Sequence, residues 1–351
     1  MLIVPRGYLV QGERGNMAET RDDEIMVSVY CLAYNHEKYI RKALDGFVMQ
    51  KTNFPFEVIV HDDASTDNTA AIIQEYADKY PDIIKPIFQT ENQYSKGVKI
   101  VKTFIYPKMK GKYVAMCEGD DYWTDENKLQ LQFDAMEAHP ECSFCSHYAK
   151  VINVATGEVA NFFPEKDKNL SEGVMDRITQ LKLMMCGFHF HLTSYFIRKT
   201  YYDDYMTNTP AFANIINTGD NAILAYFSIK GKHYFIPKEM SVYNWGTEGS
   251  WSKRIGLNLE HFENLYIGKK EWLNSFAEED YQKELAGEHL HSLKFKIELS
   301  KENYKFVLRK ENRQYLKKLP FRWRLKIYIC AYMPFISKIY YNLKNKKKQS
   351  I

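Results

Sequence analysis

Apolar and polar positions follow two alternating periods along the first third of the chain. Short continuous runs of β-branched and apolar residues, such as 25–32, are each followed by a stretch with apolar residues at helical spacing, such as 38–50. This alternation of strands and helices indicates a doubly wound α/β sheet, which binds ligands at the carboxyl ends of its strands. The pattern predicts strands at 25–32, 56–60, 83–88 and 113–117 and helices at 38–50, 69–80 and 98–110.

The pattern is less regular in the remainder of the chain. After residue 251 it becomes mostly helical, with long charged segments and few glycines. No internal repeat is visible in the sequence. Between these regions we expect strands at 143–154, 194–197 and 233–236 and a helix at 220–229.

Composition indicates a globular protein of 351 residues, with 45% hydrophobic and 26% charged residues. The six cysteines are too sparse for a disulfide framework and favour a reducing compartment. Cys142-x-x-Cys145 has no second cysteine or histidine pair at zinc spacing, so two buried thiols are the simpler interpretation. Residues 1–24 are polar and are expected to form a loose leader.

Charge is distributed unevenly. Residues 301–351 carry fifteen lysines and arginines against two glutamates, whereas the whole chain has a net charge of +4. A basic tail on an acidic body suits a polyanionic partner. Because the cations between 317 and 328 alternate with aromatic residues, we expect an anionic membrane surface as partner and no nucleic acid. A solvated helical tail is the alternative. The apolar run 327–341, broken by Pro334 and Lys338, is too short to cross a bilayer.

Acidic residues follow two of the predicted strands. Glu118, Asp120 and Asp121 come directly after the fourth strand, and carboxylates this close repel one another unless a cation neutralises them. Oxygen-rich sites of this kind suit Mg²⁺ or Mn²⁺, although a solvated acidic turn has the same sequence. Asp62 and Asp63 follow the second strand, where a carboxylate can accept hydrogen bonds from a base or a ribose, while Ser65 or Asp67 caps the next helix.

Three motifs in this order and spacing resemble those of the family-2 glycosyltransferases with the A-type fold. They are Val27-Ser28-Val29-Tyr30 with Tyr34-Asn35 and Tyr39-Ile40, then Asp62-Asp63-Ala64-Ser65-Thr66-Asp67-Asn68-Thr69, then Glu118-Gly119-Asp120-Asp121-Tyr122-Trp123. The resemblance implies an α/β catalytic domain at 25–255, with a mixed Rossmann-like sheet flanked by helices. A helical extension with the basic tail would occupy 256–351.

The resemblance also implies roles for individual residues in binding the donor. Asp120 would bind the metal, Mn²⁺ or Mg²⁺, that bridges the donor diphosphate. Glu118 would lie near the ribose, and Asp121 would contact the donor sugar. Ala33 and Tyr34 would lie beside the nucleotide base, and Asp63 would hold the base or ribose. Lys96 follows the third strand, where its cation can reach the diphosphate, although a solvated lysine is the alternative.

Thr218-Gly219-Asp220-Asn221 resembles the segment that carries the catalytic base of this family. Asp220 would deprotonate the acceptor hydroxyl, and a helix N-cap is its alternative role. Residues 243–252 resemble the loop that closes over the donor, with Trp251 able to stack on substrate. Many relatives have a metal-binding histidine in this loop. This chain has Gly246 near that position and no histidine between Tyr243 and Ser252.

Together these features predict an inverting, metal-dependent glycosyltransferase that uses a nucleotide diphosphate sugar, mainly UDP-linked. The acceptor would be a glycan or lipid-linked glycan in cell-surface polysaccharide or capsule synthesis. The enzyme would be cytoplasmic and peripheral on the inner face of the cell membrane. Two other classes remain open from the sequence. One is a nucleotide-sugar-binding module without activity. The other is a nucleotidyltransferase, against which the absence of glycine in the loop at 34–37 counts.

Overall fold

A computed structural model of the chain confirms an α/β architecture built on one mixed sheet. It describes residues 24–166, 170–185, 190–216, 219–248, 258–275, 279–333 and 335. The expected leader therefore lies almost entirely outside the described residues. The strands, in chain order, are β1 (Val27–Ala33), β2 (Phe56–Asp62), β3 (Ile84–Phe88), β4 (Tyr113–Met116), β5 (Tyr122–Trp123), β6 (Cys142–Asn153), β7 (Val159–Phe163), β8 (Gly173–Val174), β9 (Phe196–Arg198) and β10 (Lys232–Trp245).

Helices cover both faces of this sheet and continue beyond it. Among the described residues, no helix is both long and apolar enough to cross a bilayer. The α-helices are α1 (Ile40–Val48), α2 (Thr69–Lys79), α3 (Lys128–Ala138), α4 (Arg177–Met185), α5 (Lys199–Thr207), α6 (Ala211–Ile216), α7 (Gly219–Lys230), α8 (Leu259–Asn274), α9 (Glu279–Ser300), α10 (Tyr304–Val307), α11 (Arg313–Lys318) and α12 (Phe321–Tyr332).

The sheet order is β3-β2-β1-β4-β9-β6-β10-β5, with β7 paired to β6 and β8 to β10. The first four strands are parallel, as the alternating pattern predicts. The sheet as a whole is not purely parallel, because β9 runs antiparallel to both β4 and β6. The parallel half therefore brings the loops after β1, β2 and β4 to one edge of the sheet.

Successive strand residues point to opposite faces and so contribute to two separate cores. In β1, Val27, Val29 and Cys31 pack with α1, α2 and α3, whereas Tyr30 packs on the opposite face. That second core also contains Trp272 of α8, whose indole nitrogen donates to the carbonyl of Ala225 in α7 at 2.8 Å. The first helix of the expected extension is thus packed onto the sheet domain. A third, smaller core lies among α9 to α12.

Three of the predicted elements differ from those observed. The expected helix at 98–110 is a π-helical turn, Val101–Ile105, followed by a 3-10 turn, Tyr106–Lys108. Pro107 has no N–H and its ring excludes a regular helix through this point. The strand expected at 233–236 extends to Trp245 and passes Pro237 through register shifts. The chain after residue 258 is helical where described, but it is divided into five short or medium helices.

Candidate functional site

The loops that follow β1, β2 and β4 meet at the carboxyl edge of the parallel strands. The carbonyl of Ala33 accepts from the N–H of Asp63 at 3.0 Å, and that of Leu32 accepts from Gly119 at 2.8 Å. The end of β1 therefore lies between the two acidic motifs. Ala33 is buried there, while the ring of the adjacent Tyr34 is exposed at the same edge. An exposed aromatic ring in this position is available to contact a planar base.

Side chains hold the β1 and β2 loops together. Asn35 has a φ of +56°, and its side-chain oxygen accepts from the N–H of Thr66 at 2.8 Å. In return, the N–H of Asn35 donates to the hydroxyl of Ser65 at 2.9 Å. The N-cap position of α2 is Asn68 rather than Ser65 or Asp67. Asp67 instead accepts from the N–H of Thr69 at 2.9 Å and from the N–H of Glu37 at 3.0 Å. These contacts give the two loops a defined shape.

Asp62 and Asp63 are buried at the end of β2, and both use their oxygens within the protein. Asp62 accepts from the N–H and the hydroxyl of Ser65, at 3.1 and 2.5 Å. Asp63 accepts from the N–H groups of Gln93 and Tyr94, at 2.8 and 3.0 Å. Asp63 therefore shapes the loop after β3. A role for these two residues in holding the base or ribose remains a prediction.

Lys96 lies in the 3-10 turn Tyr94–Lys96 of that same loop. Its ammonium group forms an ion pair with the carboxylate of Glu91, and both side chains are largely exposed. Exposed ion pairs contribute little stability, so this contact is readily exchanged for another anion. The expected contact with a diphosphate stays a prediction.

The acidic motif after β4 forms a compact carboxylate cluster. Glu118, Asp120 and Asp121 place one oxygen each so that all lie within 4.8 Å of one another. Gly119 allows this turn, because a Cβ there would approach Nδ1 of His36 at 2.8 Å and Cδ1 of Ile40 at 2.9 Å. The glycine between the acids therefore lets the motif pack closely against the β1 loop.

Strand β10 supplies the contacts that orient the two aspartates. The N–H of Asn244 donates to Oδ1 of Asp121 at 2.9 Å, and its side-chain amide donates to the carbonyl of Asp120 at 2.6 Å. Beyond the strand, the hydroxyl of buried Thr247 donates to Oδ2 of Asp120 at 2.8 Å. Sequence reasoning missed both residues. Both residues lie in the segment 243–252, whose resemblance to a donor-closing loop could have indicated a role at the site. Gly246 turns the chain within this segment, with a φ of +85°.

His191 lies on the other side of Asp121, with its Nε2 3.9 Å from Oδ2. Its imidazole stacks on Tyr243 of β10 at 4.1 Å between centroids. Burial lowers the pKa of His191 to about 3, so the ring is neutral. Within the described part of the chain, no donor lies within hydrogen-bonding distance of Oδ2 of Asp121, although the atom is buried. The structure thus brings His191 to the acidic cluster.

Crowding and burial make ionisation of the cluster unfavourable. Burial, followed by the charges of Asp120 and Asp220, raises the pKa of Glu118 to about 8. Burial, followed by the charges of Asp120 and Glu118, raises the pKa of Asp121 well above its usual value. Buried like charges at this distance destabilise one another unless a cation is present.

The residues of the cluster fit a hard divalent ion. All three offer carboxylate oxygens, the ligand type that Mg²⁺ and Mn²⁺ prefer, and the buried Oδ2 of Asp121 lacks a protein donor among the described residues. A bound cation would offset the repulsion that raises the pKa values of Glu118 and Asp121.

Asp220 lies in the first turn of α7, close enough for its charge to raise the pKa of Glu118. Its carboxylate accepts from the N–H of Asn221 at 2.8 Å. Asp220 is partly exposed, yet the surrounding protein removes enough water to raise its pKa to about 6. The structure therefore brings the expected base near the expected metal site. Thr218 and Trp251 lie outside the described residues.

Comparison with known proteins is consistent with this geometry. Residues 28–201 match the family model "Glycosyl transferase family 2". The uncharacterized protein Rv1520 of Mycobacterium tuberculosis is 34% identical over 228 residues, which cover 64% of this chain and 60% of that relative. The Escherichia coli UDP-Glc:alpha-D-GlcNAc-diphosphoundecaprenol beta-1,3-glucosyltransferase WfgD is 29% identical over 114 residues, covering 32% and 42% of the two chains.

Solved structures show the same fold at low sequence identity. Staphylococcus aureus TarS in complex with UDP-GlcNAc superimposes with a TM-score of 0.59 at 16% identity, over 85% of this chain and 83% of that one. The mannosyltransferase PcManGT from Pyrobaculum calidifontis, in complex with GDP-Man and Mn²⁺, gives a TM-score of 0.54 at 16% identity, over 88% and 87%. These likenesses confirm the A-type fold expected from the three motifs.

Three observations point to the same family. They are the order of the three motifs, the mixed sheet with acidic residues at its edge, and the match over residues 28–201. The chain belongs to glycosyltransferase family 2.

Proposed function

We propose that this protein transfers a sugar, with inversion at the anomeric carbon, from a nucleotide diphosphate sugar to a hydroxyl of a glycan or lipid-linked acceptor. The observation that carries the proposal is the cluster of Glu118, Asp120 and Asp121 close to Asp220. Clustered carboxylate oxygens suit the divalent cation that accompanies a diphosphate donor. The reaction also needs a base beside the donor sugar, to take the proton of the attacking hydroxyl.

Asp220 is assigned as the catalytic base. At neutral pH a carboxylate with a pKa of about 6 is mostly ionised and still basic enough to accept a proton. The acceptor oxygen attacks the anomeric carbon as its proton passes to Asp220. The bond from that carbon to the diphosphate oxygen breaks, and the nucleotide diphosphate leaves. Attack opposite the leaving group inverts the configuration.

Asp120 is assigned as the metal ligand, held in place by Thr247. A Mn²⁺ or Mg²⁺ ion there supplies charge neutralisation for the departing diphosphate. With a donor bound, Glu118 would contact the ribose and Asp121 would contact the donor sugar. Ala33, Tyr34, Asp62 and Asp63 form the nucleotide side of the site, and Lys96 exchanges Glu91 for the diphosphate.

We assign UDP sugars as donors and place the enzyme in cell-surface polysaccharide synthesis, on the inner face of the cell membrane. Two observations on relatives support this. TarS is in complex with UDP-GlcNAc, and the name of WfgD includes UDP-Glc and a diphosphoundecaprenol acceptor. The match spans 60% of the M. tuberculosis relative and less of WfgD, so donor, acceptor and location are inferences for this chain.

The test is a thermal-shift screen of UDP sugars with and without Mn²⁺, together with an assay for released UDP. We expect Mn²⁺ and a donor together to raise the melting temperature of the parent, and the Asp120→Asn variant to lose this effect. Asp82→Asn, an exposed acid on the surface, is the matched control and should respond like the parent.

Two results would reject parts of the proposal. If Asp120→Asn and the parent gain equally from Mn²⁺, the ion binds elsewhere. If the parent binds a UDP sugar but never releases UDP with any acceptor or water, the protein is a binding module without transfer activity.

A further inference from the structure

The last described helix, α12, has an apolar stripe that faces solvent. Phe321, Leu325, Tyr328 and Tyr332 are 69%, 49%, 48% and 70% exposed. They are spaced by four, three and four residues, so at 100° per residue they fall on one narrow face of the helix. We call these four residues the α12 stripe.

The opposite face of α12 anchors the helix to the protein. Ile327 is fully buried and packs with Phe295, Val307 and Leu316 in the third core. The stripe is therefore oriented outward by packing and is not a frayed end of the chain. Within the stripe, the rings of Tyr328 and Tyr332 stack with centroids 6.4 Å apart. Aligned exposed apolar side chains of this size on one face mark a surface that binds a partner.

Basic residues surround the α12 stripe. Residues 317–326 contain five lysines and arginines and no acidic residue. Lys317, Lys318 and Arg322 are exposed. The guanidinium of Arg324 lies over the ring of Phe321 at 5.8 Å, so cation and stripe share one surface. An apolar strip flanked by cations is complementary to an anionic lipid leaflet, which offers hydrocarbon beneath negative headgroups.

We propose that the α12 stripe docks the enzyme on the anionic lipid surface of a membrane, with the four apolar side chains inserted at the headgroup boundary and the basic residues on the lipid phosphates. Tyrosine suits this depth because its ring is apolar and its hydroxyl remains hydrated. This role of the α12 stripe rests on the peripheral membrane location proposed above. Vesicle binding needs no transfer activity, so the two proposals fail separately.

The experiment is co-sedimentation of the full chain with vesicles of phosphatidylglycerol and phosphatidylcholine, compared with vesicles of phosphatidylcholine alone. We expect binding to the anionic vesicles that weakens with salt. The triple variant Phe321→Ser, Leu325→Ser, Tyr332→Ser should lose at least about tenfold in affinity for these vesicles. Each substitution removes apolar area that the membrane would otherwise bury. The control Val159→Ser, Ile267→Ser changes two exposed apolar residues elsewhere and should bind like the parent.

A second variant separates charge from insertion. Lys317→Gln, Lys318→Gln, Arg322→Gln should weaken binding to anionic vesicles by about fivefold per residue and leave binding to neutral vesicles unchanged. Its matched control neutralises three exposed lysines on other elements, Lys79→Gln, Lys108→Gln and Lys238→Gln. All four variants should keep the UDP release of the parent.

Hydrogen exchange of the parent chain gives a readout that needs no variant, with protection expected at 321–332 when anionic vesicles are added. The proposal is overturned if the triple variant sediments with vesicles like the parent. It is equally overturned if light scattering shows that the stripe joins two copies of the chain, or if it binds single-stranded nucleic acid in preference to lipid.

Discussion

Two acidic motifs follow neighbouring strands of the same sheet, and they use their carboxylates differently. After β2, the oxygens of Asp62 and Asp63 accept hydrogen bonds from Ser65 and from the backbone of Gln93 and Tyr94. After β4, the described residues leave Oδ2 of Asp121 without a donor, and Glu118 has a pKa raised to about 8.

Asp62 and Asp63 therefore shape the loops, whereas the acids after β4 are arranged to bind a cation. Asp62 and Asp63 accept hydrogen bonds from the residues around them, and these bonds hold the loops after β2 and β3 in place. The three crowded carboxyls after β4 repel one another when ionised, and a bound cation would offset that repulsion. Both motifs look alike in sequence, and only their hydrogen-bond partners and the spacing of their carboxylates in the fold distinguish them.

The largest loss of activity is expected from substitution of Asp220, which lies near the acidic cluster after β4. We predict that Asp220→Asn lowers kcat by about 100- to 10,000-fold, because an amide does not accept the acceptor's proton. The affinity for UDP and Mn²⁺, measured by calorimetry, should not change. Asp203→Asn, an acid on α5 paired with Lys199, is the control. Normal turnover by Asp220→Asn would remove the residue from the mechanism.

The pH profile tests the same assignment. The base works when deprotonated, and the pKa of Asp220 is raised to about 6 by burial. The kcat/KM of the parent should therefore fall as pH drops through 6, by about tenfold per unit below it. The residual activity of Asp220→Asn should lack this acid limb. If the limb persists in the variant, another group controls it.

The free energy of unfolding, measured without metal at pH 8, tests whether the two acidic motifs differ. Asp63→Asn should lower the free energy of unfolding by about 1–3 kcal/mol, since the N–H of either Gln93 or Tyr94 loses its acceptor. Asp121→Asn should leave the free energy of unfolding unchanged or raise it. The folded-state pKa of Asp121 lies above its unfolded value, so its contribution to stability decreases as pH rises from 3.8, and asparagine does not titrate. Equal losses for both variants in urea unfolding would show that the motifs do not differ.

The smallest effect should come from the residue that orients Asp120. We predict that Thr247→Val weakens Mn²⁺ binding by about tenfold, because the hydroxyl that holds Oδ2 of Asp120 is removed at constant shape. Thr247→Ser keeps the hydroxyl and should bind Mn²⁺ like the parent in calorimetry. An unchanged affinity in Thr247→Val would mean that Asn244 and the backbone orient the aspartate unaided.

Local patterns were sufficient for the parallel half of the fold. The strands that became β1 to β4 and the helices α1 and α2 were predicted within about two residues at each end, which is the usual uncertainty of boundaries. Continuous apolar runs and helical spacing determine such elements through neighbours in sequence. The helix expected at 98–110 was wrong, because Pro107 has no N–H and its ring excludes a regular helix there.

The sequence by itself determined the family, the parallel strands and the acidic residues at their carboxyl ends, because short motifs and periodic burial are local properties. Only the tertiary structure showed that Asn244 and Thr247 orient Asp121 and Asp120, across 123 and 127 residues of chain. It likewise brought His191 beside Asp121 and directed the α12 stripe outward by burying Ile327. Contacts between distant segments depend on how the sheet and helices pack, and no pattern of neighbouring residues encodes them alone.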